Sequence, residues 1–203
     1  MTEWGLFLRD QLLATSGWEL LASFFALLYL VLVIRENIWC WYAAFLSTAL
    51  FLFVFFQVRL YMESGLQVFY LGMAVYGWSQ WRRGDQSNAA KLLISTWCIR
   101  RHIVTIAGIF IVSLASGWLL SDTDAQLPYV DSFTTWASIV TTYMVARKVL
   151  ENWIYWFFID AISIALYIDR ELYLTAILFA IYLVMVFFGG LAWYSAWKKQ
   201  SVS

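Results

Sequence analysis

The chain has 203 residues, of which 63% are hydrophobic, 20% aromatic and only 13% charged, and its thirteen basic and thirteen acidic side chains cancel. A soluble domain is nearer half apolar and a quarter charged, so this composition points to an integral membrane protein, and a zero net charge offers nothing to nucleic acid. The apolar runs are far longer than the alternating ten-residue strands of a membrane barrel, which leaves helices as the way to satisfy the backbone in lipid.

Residues 4–13, with Trp4, Leu6, Phe7, Leu8, Leu12 and Leu13, are too short to span and suit a short interfacial helix with a tryptophan anchor. Glu3 and a single Arg9 make no basic leader region and no small-residue cleavage site follows, so a removable signal peptide is not expected. Spans are predicted over Trp18–Ile34, Ile38–Phe56 and Leu60–Trp81. A polar stretch runs from Arg82 to Arg101, and a fourth span covers Ile103–Leu120. Ser121-Asp122-Thr123-Asp124 reads as a loop, ended by the single proline, Pro128. The fifth span, Ser132–Val149, is weakly apolar and carries Thr134, Thr135, Ser138, Thr141 and Thr142. Spans six and seven are Trp153–Ile168 and Leu172–Trp197.

Charge decides whether the fifth segment crosses. With seven crossings, Arg35, Arg82, Arg83, Lys91, Arg100, Arg101, Arg147, Lys148, Lys198 and Lys199 share one side, and Arg9, Arg59 and Arg170 the other. That is ten against three; without the fifth crossing the division is seven against six and the bias vanishes. The positive-inside rule therefore predicts seven crossings, with the N-terminus outside and the C-terminus in the cytoplasm.

The chain repeats itself. Glu36-Asn37-x-x-x-Trp41 opens span two and Glu151-Asn152-x-x-x-Trp156 opens span six, 115 residues later. Trp78-Ser79-Gln80-Trp81 and Tyr194-Ser195-Ala196-Trp197 close spans three and seven at a spacing of 116, and Leu60-Tyr61 and Leu172-Tyr173 open them. The expected organisation is an N-terminal interfacial segment (1–17), a first three-helix repeat (18–81), a basic cytoplasmic loop and linker helix (82–120), and a second three-helix repeat (129–199). Span four between two odd-numbered units makes the repeats parallel. The predicted fold is all-α, with seven transmembrane helices in a 3+1+3 arrangement of the SWEET transporter type and a substrate site at the repeat interface near the midplane.

Asp160 is the centre of the chemistry. The run from Asn152 to Ile168 is about 25 Å long, enough to cross a bilayer core. Asp160 sits at its middle, where a carboxylate costs roughly 3 kcal/mol and must face a cavity, a ligand or a partner. At 100° per residue, Asn152, Trp156, Asp160, Ser163 and Tyr167 fall within about 80° of one another. Span two places Asn37 and Trp41 on one face, and span three Gln67, Tyr70 and Trp78. Indole and phenol rings attract a flat cation, amides and hydroxyls bond polar substituents, and Asp160 balances positive charge. The competing readings are structural: Asn37 and Asn152 as helix N-caps, Trp41, Trp78 and Trp156 as interfacial belt, Gln67 and the span-five hydroxyls as helix-packing groups, Asp160 as a bond to another helix. Cys40 and Cys98 lie in no metal or redox spacing and read as structural thiols, and no metal or cofactor site is expected. His102, next to Arg100 and Arg101 at the cytoplasmic membrane edge, is a poor proton relay.

Two patterns carry a family resemblance. One is Gln67-x-Phe69-Tyr70-x-x-Met73-x-x-Tyr76-Gly77-Trp78-x-x-Trp81, in which Ser79 stands where an aromatic is expected. The other is Asn152-Trp153-x-x-Trp156-x-x-x-Asp160, followed by Tyr167 and Leu172-Tyr173. From Trp18 to Lys199 the chain resembles the PnuC family of bacterial nicotinamide riboside transporters. The resemblance implies a homotrimer in the bacterial inner membrane that takes up nicotinamide riboside for NAD synthesis. Its flat cationic pyridinium, carboxamide and ribose suit Asn37, Trp41, Gln67, Tyr70, Trp78, Asn152, Trp156, Asp160 and Ser163. The family's other members carry thiamine, riboflavin or deoxynucleosides, so these remain alternative substrates. No phosphate-binding loop or soluble domain supports ATP-driven pumping. Facilitated diffusion by alternating access is expected, with a cytoplasmic riboside kinase trapping the product. An enzyme would need a nucleophile, an acid–base pair or a metal cluster, which this chain does not offer. A non-transporting membrane subunit would not need Asp160.

Overall fold

The computed structural model describes residues 17–57, 61–86, 92–122, 127–169 and 173–200. The interfacial helix expected at residues 4–13 lies outside the described residues, as do Arg9, Arg59, Lys91 and Arg170 of the charge count. The described residues form seven α-helices: α1 Gly17–Ile34, α2 Cys40–Gln57, α3 Tyr61–Gln86, α4 Ile99–Leu120, α5 Pro128–Ala146, α6 Asn152–Asp169 and α7 Tyr173–Gln200. Four of them are long and apolar enough to cross a membrane on length and composition alone: α1, α2, α4 and α7 from Thr175. α3, α5 and α6 carry more amides, hydroxyls, charges, indoles and phenols among their aliphatic side chains, and in α5 and α6 several of the polar ones are buried.

The helix ends differ from expectation at α5. It begins at Pro128, four residues earlier than predicted, because Leu127 takes a left-handed conformation (φ 50°) and proline at the first helical position needs no hydrogen-bond acceptor. It ends at Ala146, three residues early, because Lys148 is also left-handed (φ 49°). The Lys148 amide donates to the Val145 carbonyl (3.0 Å) and the Val149 amide to that of Met144 (2.9 Å). This is a Schellman termination. The end of α1 repeats it: Glu36 has φ 52°, its amide donates to the Val33 carbonyl (2.9 Å), and the Asn37 amide to that of Leu32 (2.9 Å).

The chain divides into two compact units, Met1–Leu92 and Leu93–Ser203. In the first, α2 packs against both α1 and α3; in the second, α6 packs against both α5 and α7, and α4 packs against α5. Each unit is locked by one tryptophan on a glycine. In the first, Trp41 of α2 (2% exposed) lies on Gly77 of α3 and meets Trp81 edge to face, centroids 5.6 Å apart. In the second, Trp153 of α6 (4% exposed) lies on Gly189 of α7 and meets Trp193 edge to face at 5.4 Å. Such ring pairs contribute about 1 kcal/mol beyond their buried area. Trp153 lies 112 positions after Trp41, Gly189 112 after Gly77, Trp193 112 after Trp81, and Lys148 112 after Glu36. α6 also starts and ends 112 positions after α2.

The spacings of 115 and 116 read from the motifs are therefore corrected to 112. The indole equivalent to Trp41 is Trp153 rather than Trp156, and that of Trp81 is Trp193 rather than Trp197. A shift of three or four residues is close to one helical turn of about 3.6 residues, so it keeps every matched side chain on the same face. Face patterns alone cannot resolve it; the backbone turns can.

A Cβ on Gly189 would overlap the Trp153 ring, whereas one on Gly72 meets nothing. Gly189→Ala is expected to cost roughly 1–3 kcal/mol, read as a lowered melting temperature in detergent, with Gly72→Ala close to neutral. Equal melting temperatures for both variants would show that the indole does not hold α6 to α7.

Candidate functional site

The second unit concentrates polar side chains in its interior. Asn152 opens α6 and is fully buried; its Nδ2 donates to the Val149 carbonyl (2.7 Å), and its Oδ1 has no hydrogen-bond partner among the described residues. Two turns on, Asp160 is 3% exposed, and among the described residues no hydrogen bond or Lys or Arg ion pair reaches it. Tyr182 of α7 lies within electrostatic reach of it. Ser163 is buried one turn further along α6. Thr141 of α5 is completely buried and donates its hydroxyl to the Ala137 carbonyl (2.7 Å).

An amide oxygen left unpaired inside a protein costs about 1–3 kcal/mol, and a carboxylate more. Both groups are acceptors. The arrangement is suited to a guest that brings N–H or O–H donors and positive charge. Trp156 plays a different part from its neighbours on the wheel. It is half-buried and packs with Phe133, Trp136 and Val140 against Ile109 of α4, Ala137 of α5 and Ile159. Part of its ring is taken up in holding α4, α5 and α6 together.

The five candidates in the first unit divide by environment. Asn37 is exposed, and its Oδ1 accepts from the Trp39 amide (3.0 Å) at the entry to α2, which is the capping role. Trp41 is core packing on Gly77. Trp78 is half-buried, with the Arg82 guanidinium 4.8 Å over its ring and the edge of Tyr42 6.4 Å away. Gln67 and Tyr70 are half-buried along α3, with Tyr70 in electrostatic reach of Tyr29 on α1. Asn37 and Asn152 are not equivalents, since the position 112 after Asn37 is Val149. Of the nine candidates, Asn37, Trp41, Gln67, Tyr70 and Trp78 belong to the first unit, and Asn152, Trp156, Asp160 and Ser163 to the second.

Two residues with polar groups in this interior went unread in the sequence. In the sequence, Thr141 is one of several hydroxyls in span five with nothing to single it out. Tyr182 carried a signal: it lies 112 positions after Tyr70, and the correct register would have paired them. His102 also has partners that no motif announced. Its Nδ1 shares a hydrogen bond with the Tyr155 hydroxyl (2.9 Å), and its Nε2 is 3.8 Å from Glu151 Oε1.

Comparison with known proteins agrees with this helical plan. A family model described as nicotinamide mononucleotide transporter matches residues 16–195. The riboflavin/roseoflavin transporter RibM of Streptomyces davaonensis is 27% identical over 186 residues, covering 90% of this chain and 87% of that protein. The nicotinamide riboside transporter PnuC of Escherichia coli is 25% identical over 211 residues, covering 91% and 88%. The crystal structure of a vitamin B3 transporter PnuC superposes with a TM-score of 0.74 at 19% identity, covering 98% of this chain and 94% of that one, which shows the same fold.

The burial of Asp160 separates ligand chemistry from structure. If no protein group needs the carboxylate, Asp160→Leu should hold or raise the melting temperature in detergent, since leucine replaces a group that costs roughly 3 kcal/mol in lipid. A fall of several degrees would identify Asp160 as a structural bond between helices.

Proposed function

The chain belongs to the nicotinamide mononucleotide transporter family, and from that membership we propose that it takes up nicotinamide riboside across the bacterial inner membrane. The observation that carries the choice of solute is Asp160: a buried carboxylate that no Lys or Arg pairs with among the described residues. A riboside bearing a pyridinium supplies the missing positive charge. Its carboxamide N–H groups or ribose hydroxyls match the unpartnered Oδ1 of Asn152, with Ser163 and Tyr182 as further hydroxyl partners. Gln67, Tyr70 and Trp78 of the first repeat, only half-buried, are the candidates there; Trp41 and Asn37 serve the fold.

The proposal includes the finer architecture. All seven helices cross the membrane in a SWEET-like 3+1+3 plan, with the N-terminus outside and the C-terminus in the cytoplasm. Its support is the 112-residue repeat and the ten-to-three division of basic residues. Transport is facilitated diffusion by alternating access in a homotrimer, made directional by a cytoplasmic kinase that phosphorylates the riboside. No phosphate-binding loop occurs in the sequence to drive it otherwise.

A second solute is favoured by one finding: RibM, a riboflavin/roseoflavin transporter, is 27% identical over nearly the whole chain. Riboflavin is flat and polar but neutral, and it would leave Asp160 without its counter-charge.

Calorimetric titration of the detergent-purified protein with nicotinamide riboside, nicotinamide mononucleotide, riboflavin and thiamine distinguishes these. Saturable binding of the riboside, weakened about tenfold or more (roughly 1.4 kcal/mol) in Asp160→Asn, is the expected result. Binding of riboflavin alone, unaffected by that substitution, would replace the solute and remove Asp160 from the site.

A further inference from the structure

Leading into α4, residues 92–98 run alongside the turn that joins α5 to α6. The Ser95 amide donates to the Lys148 carbonyl (2.9 Å) and the Leu150 amide to the Ser95 carbonyl (2.8 Å). The Trp97 amide donates to both carboxylate oxygens of Glu151 (3.2 and 3.3 Å). His102, in the first turns of α4, closes the ring of contacts through Tyr155 and Glu151. Arg101 lies over the Trp97 ring at 4.2 Å, and the Ile94 amide donates to Oε1 of Gln200 at the end of α7 (3.1 Å). Glu151 immediately precedes Asn152, and Tyr155 is one turn into α6. The positions 112 earlier are Trp39 and Ala43. Neither has a side-chain oxygen to accept an amide or to bond a histidine ring, so the first repeat cannot build the same contact there.

We propose that Glu151, Tyr155 and His102 form a clip that fixes the start of α6 to the linker, and that they are positioning residues for transport. They hold the helix bearing Asn152 and Asp160 without touching the solute, and they set how fast it moves between states. The argument has three parts. Three elements meet at the clip: the linker segment 92–98, the first turns of α4 and the start of α6. Its bonds include a charge-assisted pair on a main-chain amide, which is stronger than a neutral contact. And its side chains occur in one repeat only, so the two three-helix units differ in how their middle helix is anchored. The inference rests on the transport reading above.

The experiment uses the full-length protein, in detergent and in proteoliposomes, with Glu151→Ala, Glu151→Gln and Tyr155→Phe. Hydrogen exchange at residues 95–97 and 150–155 reads the clip itself. Calorimetry with nicotinamide riboside reads affinity, and riboside uptake reads rate. In Glu151→Ala, amide protection over 95–97 should fall tenfold or more and maximal uptake should change at least threefold, while affinity stays within twofold of wild type. Glu151→Gln, which keeps an acceptor for Trp97, should restore most of the protection. Tyr155→Phe, which removes one hydroxyl, should give a smaller change of the same kind and serves if the alanine variant does not fold. Unchanged protection would overturn the clip. Lost affinity in step with uptake would make Glu151 a solute contact instead, and lost protection with normal uptake would reduce the clip to a local staple. If the wild-type protein binds neither the riboside nor riboflavin, the transport reading falls and the rate-setting role with it, while the exchange data still judge the clip.

Discussion

Helices in lipid gain nothing from the hydrophobic effect when they associate, because the acyl chains are as apolar as the side chains they replace. Close fit has to do the work, and here it is concentrated where an indole meets a glycine. Trp41 on Gly77 and Trp153 on Gly189 each bring a large flat ring against bare backbone, with a second tryptophan edge-on to complete the contact. The middle helix of each unit is thereby held to the third. The rest of the second unit depends on that contact, since α6 also carries Asn152, Asp160 and Ser163, and the depth of those groups follows from how closely α6 lies against α7.

The two units share a skeleton and differ in what fills it. Position for position, Cys40 stands where the second unit has Asn152, Thr48 where it has Asp160, Phe51 where it has Ser163, and Tyr29 where it has Thr141. Two phenols are retained by both, Tyr61 with Tyr173 and Tyr70 with Tyr182. At those four positions the second unit carries an amide, a carboxylate and two hydroxyls where the first carries a thiol, a hydroxyl and two rings. Close fit supplies stability in both, and in the second the surplus tolerates a carboxylate and an unpaired amide oxygen that reduce it.

What the sequence disclosed followed from constraints with few solutions. A carboxylate in the middle of an apolar run cannot face lipid, so the burial of Asp160 was legible. Basic residues bias loop location, which is why a crossing at α5 is expected despite its hydroxyls; a helix stands there, Pro128–Ala146. The register was harder to read, because motifs one turn apart share a face: two motif pairs stand 115 and 116 apart while Leu60-Tyr61 and Leu172-Tyr173 stand 112 apart, and the left-handed turns at Glu36 and Lys148 decide for 112. Nor was the role of Trp41, since belt, site and core tryptophans look alike until a glycine is found beneath one of them. The contact between His102 and Tyr155 joins residues 53 apart, and no local pattern announces such a pair. The expected start of α5 is Ser132, although Pro128, four residues earlier, is a helix-opening residue.

The equal spacing around α2 and α6 has a consequence for how the chain can vary. From the turn after α1 to the first residues of α3, and from the turn after α5 to the first residues of α7, the count of residues is the same, turn for turn and helix for helix. Over this stretch the two segments differ by exchange of side chains, with no net insertion or deletion between them. An extra residue in a helix seated on a glycine would rotate its tryptophan by about 100° and empty the seat. That penalty falls on both copies alike. Length can vary more freely in the stretch that joins them, where Trp97 meets Glu151 at the start of α6.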